Sequence, residues 1–335
     1  MASTNKYAIA HHDPKGPNDA RPTAMDILKD EEMEGKLTGK MILVTGASAG
    51  IGVETVRVLA LTGATIFAAA RDLQKAKRAL SGIQGKIELL KLDLASLSSV
   101  RTAAEDYLQR SNGRLNILVN NAGVMAIPTR TLTEDGFDPA FTDFASKKGH
   151  FLLFQLLKPA LLSASTPSFN SRVISLASSG HKMGGIRPED YNFADGTYND
   201  FTAYGQAKTA NIYMSNAIER YYGAKGLHAL AVHPGVIMTE LTRHLDPKVA
   251  QGFDDDPNIA KVTKSVEQGA ATTVLAAIGK EYEGVGGKYL EDAGEWASTP
   301  NSGPYEHGYA SWAFDQKLED KLWEDSNEFV GFKEK

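Results

Sequence analysis

Tyr204 and Lys208 stand four residues apart, in Tyr204-Gly205-Gln206-Ala207-Lys208, at the start of a stretch that reads as a long helix over about 203–222. On a helix, residues i and i+4 share a face. An ammonium beside a phenol favours the phenolate and draws the tyrosine pKa down from about 10 toward neutrality. Such a tyrosine can give a proton to a forming alkoxide or take one from an alcohol. The apolar run Arg172-Val173-Ile174-Ser175-Leu176 reads as a strand that ends in Ala177-Ser178-Ser179-Gly180. It delivers Ser178 to the same edge, where a hydroxyl can hold a carbonyl oxygen beside the phenol. A Tyr-x-x-x-Lys pair alone occurs on many helix surfaces, so its meaning depends on the elements that position it.

The first of those elements is a glycine turn, Thr45-Gly46-Ala47-Ser48-Ala49-Gly50-Ile51-Gly52, between the apolar run Met41-Ile42-Leu43-Val44 and an amphipathic stretch over 53–61. Gly46 can take backbone angles closed to other residues, Gly50 lets main chain approach a ligand, and Gly52 lets helix pack close to strand. The helix that follows points free N–H groups, including those of Ser48, Ala49 and Ile51 in the turn, at a bound pyrophosphate. A second strand over 64–70 ends in Ala70-Arg71. A ribose-reading residue is expected there, about 20 residues past the glycines. The missing carboxylate, with a guanidinium suited to phosphate, favours NADP(H) over NAD.

Further strands are predicted over 87–92, 115–119, 172–176, 227–232 and 287–290, alternating with helices over 96–109, 132–162, 203–222 and 265–278. The strand ends carry Asp93-Leu94, Asn120-Asn121-Ala122-Gly123 and His233-Pro234-Gly235. This alternation implies an α/β fold, a doubly wound parallel sheet of about seven strands with helices on both faces and ligands at the carboxyl ends of the strands. Residues 1–35 read as a polar extension. Its first 22 residues, rich in proline and glycine, read as a loosely ordered lead-in, with His11-His12 as part of a solvated tail. Thr23 would cap a short helix with Asp26 three residues on. Residues 36–335 form one domain, with a substrate lid over about 236–262 and a terminal amphipathic helix over about 312–329.

The composition narrows the function classes. The 335 residues are 42% hydrophobic and 23% charged, with a net charge of -5 and no cysteine. That balance gives no reason to expect nucleic acid or an anionic membrane as partner. Disulfides and thiol catalysis are excluded. No apolar run reaches membrane-spanning length and no signal-peptide core stands at the N-terminus, which implies a soluble, cytoplasmic protein.

In family order, Thr45-Gly46-x-x-x-Gly50-x-Gly52, Asp93-Leu94, Asn120-Asn121-Ala122-Gly123, Ser178, Tyr204-x-x-x-Lys208 and Pro234-Gly235 resemble the motif set of the short-chain dehydrogenases/reductases. The branch they resemble includes retinol dehydrogenases, the WW-domain oxidoreductase and fungal reductases. The resemblance covers about 36–290 and implies one Rossmann-like domain that binds cofactor and substrate together. It implies that Ser178, Tyr204 and Lys208 are catalytic and that Asp93 contacts the adenine. Lys208 would also hold the nicotinamide ribose, with Thr239 at the nicotinamide end. Gly46, Gly50, Gly52, Arg71, Leu94, Asn120, Ala122, Gly123, Pro234 and Gly235 complete the expected cofactor contacts.

One departure stands out against that pattern. The family carries an asparagine three residues before a Gly-His-Phe resembling Gly149-His150-Phe151, and its main chain holds a proton-relaying water. Here seven residues, 142–148, separate Phe141 from Gly149 where the branch has five, and neither Ser146 nor Phe144, the two possible registers, is asparagine. Two added residues rotate a helix by about 200°, so a bulge or break is expected near 142–148. Met238, Leu241, Leu245 and Phe253 are expected to wall an apolar substrate site, and Arg243 to lie on the surface. The expected function is NADPH-dependent reduction of a hydrophobic ketone or aldehyde, in the manner of secondary-metabolite reductases, by a monomer or homodimer. The alternatives are a non-redox isomerase, cyclase or dehydratase, and an NADPH-sensing regulator.

Overall fold

A computed structural model describes residues 6–125, 142–243, 245–299 and 306–333. In chain order the elements are α1 (Ala8–His11), α2 (Ala24–Asp30), β1 (Met41–Thr45), α3 (Gly50–Ala60), β2 (Thr65–Ala70), α4 (Leu73–Ala79), β3 (Lys86–Lys91), α5 (Leu97–Arg110) and β4 (Ile117–Asn120). They continue with α6 (Thr142–Ala164), β5 (Ser171–Leu176), α7 (Asp200–Tyr222), β6 (Leu227–His233), α8 (Pro247–Asp255), α9 (Pro257–Val262), α10 (Val266–Gly269), α11 (Ala271–Ile278), β7 (Lys288–Glu291), β8 (Gly294–Glu295) and α12 (Gln316–Phe329). The strand order is β3-β2-β1-β4-β5-β6-β7-β8. The order reverses between β1 and β4, and the crevice outside that reversal is where ligands of such sheets bind.

The sheet has eight strands rather than seven. Strands β1 to β7 are parallel, and β8 returns antiparallel on β7. The turn between them, Asp292-Ala293, has φ of 52° and 54° at its two residues, which matches the right-handed twist of a two-residue hairpin. The sheet is covered on both faces. Ile117 and Val119 of β4 point to one core with α2, α3 and α11, whereas Leu118 points to the other with α5, α6, α7 and α12. Thr23 and Asp26 form the predicted reciprocal cap of α2.

Two expectations are corrected. The first 22 residues, from residue 6 on, are packed rather than loosely ordered. The Arg21 guanidinium is buried and donates to the carbonyls of Gly16, Val262 and Thr263. His11 is buried with Nε2 3.7 Å from Asp292. An irregular segment stays ordered when side chains collect its open backbone groups, and a composition-based reading misses such distant partners. The second correction concerns the fourth long helix: α6 runs without interruption from Thr142. The residues between Phe141 and Gly149 are wound as regular turns, with no bulge over 142–148. Phe141 and the predicted helical stretch before it lie outside the described residues.

The end of β7 is held by a charged cluster. Lys264 Nζ lies 2.6 Å from Asp292, and His307 Nδ1 lies 3.0 Å from Glu291 and 3.2 Å from Asp292. The Trp296 ring stacks on His307 at 4.2 Å. Hydrogen bonds to Asp292 and then Glu291 push the His307 pKa up from 6.5 to about 10. A pKa raised on folding means the folded state binds the proton more tightly. The stability His307 contributes is therefore fully present below pH 6.5, declines above it and is lost as pH rises through about 10. The gap in Tm between wild type and His307→Gln should be widest near pH 6 and close by pH 10, measured by thermal melts. A gap that widens with pH would contradict this assignment.

Candidate active site

The carboxyl ends of the strands open into one cleft of about 720 Å³. Its floor begins with the glycine turn. Gly46 has φ of 71°, and a Cβ there would stand 2.8 Å from Ala122 Cα. A Cβ on Gly52 would run into the Gly46 carbonyl. Only glycine permits this close approach of strand, turn and helix. The N-cap of α3 is Ala49, which has no side chain to offer, whereas Asp72, Ser96 and Asn199 cap α4, α5 and α7. The first N–H groups of α3 are thus left for an anion. Thr45 Oγ1 accepts from the N–H groups of Asn121 and Ala122, each at 3.0 Å, and pins the loop after β4 against this turn.

Ser178, Tyr204 and Lys208 all line this cleft. Tyr204 and Lys208 are buried, 6% and 5% exposed, with Lys208 Nζ 5.2 Å from the centre of the Tyr204 ring. Away from water the ammonium acts on the phenol with little screening. Lys208 Nζ stands 3.4 Å from the Leu176 carbonyl, which Asn211 Nδ2 also holds, at 2.8 Å. The Ser178 hydroxyl oxygen accepts from the Gly180 N–H at 3.0 Å, so its own proton remains to be donated into the cleft. His181, fully buried, fixes this loop from behind. The Ala310 N–H donates to His181 Nε2 at 3.0 Å, which places the ring proton on Nδ1, 2.6 Å from the Ser178 carbonyl. Burial holds the His181 pKa down at about 4, so the ring stays neutral in this relay.

A family model described as short chain dehydrogenase matches residues 40–250. The chain belongs to the short-chain dehydrogenases. The short-chain dehydrogenase/reductase prx1 of Penicillium roqueforti is 47% identical over 331 residues, covering 98% of this chain and 96% of that protein. Retinol dehydrogenase 13 of Mus musculus is 36% identical over 302 residues, 88% of this chain and 85% of that one. Among solved structures, an uncharacterized protein of Mycobacterium paratuberculosis superposes with a TM-score of 0.69 at 28% identity, covering 90% of this chain and 97% of that one. The chain is thus an oxidoreductase of a family that works with nicotinamide cofactors.

In this short-chain dehydrogenase the cleft gathers Gly46, Ser48, Ala49, Gly50, Ile51, Gly52, Arg71, Asp93, Leu94, Ala122, Gly123, Pro234, Gly235 and Thr239 along with Ser178, Tyr204 and Lys208. Asn120 is the exception: it is 3% exposed and absent from the lining, where Asn121 stands instead. Side chains alternate along a strand, so Asn120 shares the inner face of Leu118 and is paired in register with Ser175. Of the expected apolar walls, Met238, Leu241 and Phe253 line the cleft, while Leu245 is buried behind it. Arg243 is exposed, as expected, and also lines the cleft. His181, Asn211, Lys75 and Glu240 join the site beyond the expected residues. The first two had a signal, three residues beyond Ser178 and three beyond Lys208. Among the described residues no helix is long and apolar enough to cross a membrane.

Proposed function

We propose that this short-chain dehydrogenase is an NADPH-dependent reductase of a bulky, apolar ketone or aldehyde. The observation that carries the reading is that Ser178, Tyr204 and Lys208 line the same cleft as the apolar side chains of Met125, Met183, Phe201, Met238, Leu241 and Phe253. Methionine is unbranched and polarisable and adapts to irregular apolar shapes. The bound nicotinamide supplies the hydride. Ser178 donates a hydrogen bond from its hydroxyl to the substrate oxygen and keeps its proton, and Tyr204 delivers the one proton that completes the alcohol. Lys208 stabilises the tyrosinate left behind and fixes the ribose. The fit to a phosphorylated dinucleotide rests on the uncapped start of α3 and on Arg71. Arg71 lines the cleft and, among the described residues, is in no ion pair.

The test has two parts. NADPH should bind at least about tenfold tighter than NADH, and Arg71→Ala should remove most of that difference. Equal affinities in wild type would sink the cofactor assignment. A panel of alicyclic and aromatic ketones and aldehydes with NADPH, scored separately for product and for cofactor oxidation, then distinguishes reduction from a reaction without net redox. Substrate turnover without oxidation of NADPH would exclude the reductase reading. The non-redox alternative drew on an altered fourth helix; α6 is wound regularly, but neither possible register carries an asparagine, so this screen is what decides between the two readings.

A further inference from the structure

Two cations follow β2 at one end of the cleft, and the fold treats them differently. Arg71 is exposed and lines the cleft without an ion pair among the described residues. Lys75, in the first turn of α4, also lines the cleft, but its ammonium is held by the Glu240 carboxylate. Glu240 comes from the other lip. It opens a short 3-10 turn, Glu240–Thr242, directly after Thr239, which lies over the glycine turn with Cβ 3.3 Å from where a Gly50 Cβ would be. The nearer carboxylate, Asp72, is committed elsewhere, accepting from the Lys75 backbone N–H at 2.9 Å as the cap of α4. The only anion on the Lys75 ammonium, among the described residues, therefore arrives from across the mouth.

We propose that Glu240 is a specificity-determining residue for the cofactor, its carboxylate competing with a 2′-phosphate for the Lys75 ammonium. The inference rests on the NADPH reading above. A 2′-phosphate drawn to Arg71 comes within reach of Lys75 and offers more charge and more acceptor oxygens than a carboxylate. Two anions on one ammonium repel each other, so Glu240 turns away and its turn is released from α4. The side chains of Lys75 and Glu240 are 37% and 55% exposed, and exposed pairs are weak enough to be exchanged in this way. A dinucleotide without the phosphate leaves the pair closed. Glu240 thus weakens NADPH binding selectively and leaves NADH binding alone.

Dissociation constants for NADPH and NADH are measured by fluorescence titration of the full chain as wild type, Glu240→Gln, Lys75→Gln and the double variant. Glu240→Gln should tighten NADPH about three- to fivefold and leave NADH within about 1.5-fold, the latter also reporting an intact site. Lys75→Gln should weaken NADPH, and adding Glu240→Gln to it should then change nothing, because the partner it competes for is gone. Equal tightening of both cofactors, or the same gain with Lys75 removed, would reduce Glu240 to a general surface charge and overturn the proposal. A wild type that prefers NADPH but does not respond to Glu240→Gln overturns this inference alone. A wild type without preference overturns the cofactor reading, and this inference with it.

Discussion

Replacing Tyr204 by phenylalanine should keep cofactor affinity within about twofold of wild type and lower kcat by about a hundredfold or more. The ring stays, so the packing of Gly180 against it and the neighbouring Lys208 are preserved. Only the hydroxyl, the group proposed to exchange the proton, is lost. Ser178 can still hold the substrate oxygen, which is why some turnover should survive. Lys208→Ala should behave differently, losing cofactor affinity as well as rate, because the lysine is expected to hold the ribose in addition to tuning the phenol. Cofactor titration and steady-state kinetics on the two variants separate these roles. Should Tyr204→Phe turn substrate over at the wild-type rate, the acid–base assignment is wrong and Tyr204 is a packing residue.

Much of this was legible from residue types and spacing because the cleft is built from strand ends. A parallel sheet forces each loop at a carboxyl end toward the same crevice, so the glycine turn, Arg71, Asp93, Ser178 and Pro234-Gly235 had to converge once the alternation of strand and helix was read. What escaped depends on partners far apart in sequence. Arg21 orders the N-terminal segment through carbonyls about 240 residues away, and the Glu240 that holds Lys75 lies 165 residues on. No local pattern encodes either. Asn120 stands outside the cleft lining for a different reason. The motif names two adjacent asparagines, and only strand phase, read from Leu118 facing the α5–α7 core, decides which of them faces the cleft. The expected break in α6 failed because residue counting between two landmarks does not say where the chain takes up the difference.

Gly180→Ala should lower kcat by about a hundredfold while leaving the fold intact, since a misplacement near 1 Å in a catalytic group can cost that much. A Cβ at this position would stand 2.6 Å from Tyr204 Cε1, 2.9 Å from Cδ1 and 3.2 Å from Met183 Cε. The nearest obstacle is the Tyr204 ring itself. Gly180 is not in the left-handed backbone region, so alanine can take its backbone angles and the conflict is one of space alone. Tyr204 has little room to retreat. It is 6% exposed, and at the next residue of α7, Gly205, a Cβ would stand 2.5 Å from the Gly184 backbone nitrogen, so helix and loop are already in backbone contact. The ring must tilt, and the phenol moves away from Ser178 and Lys208. Overpacking of this kind costs about 1–3 kcal/mol of stability, which a thermal melt will register as a modest drop in Tm without loss of cofactor binding. The decisive measurement is a double-mutant cycle. In a Tyr204→Phe background the phenol is already gone, so Gly180→Ala should cost little further rate. A hundredfold loss that persists in that background would mean that Gly180 acts through the Ser178 loop, whose hydroxyl accepts from the Gly180 N–H, and not through the tyrosine.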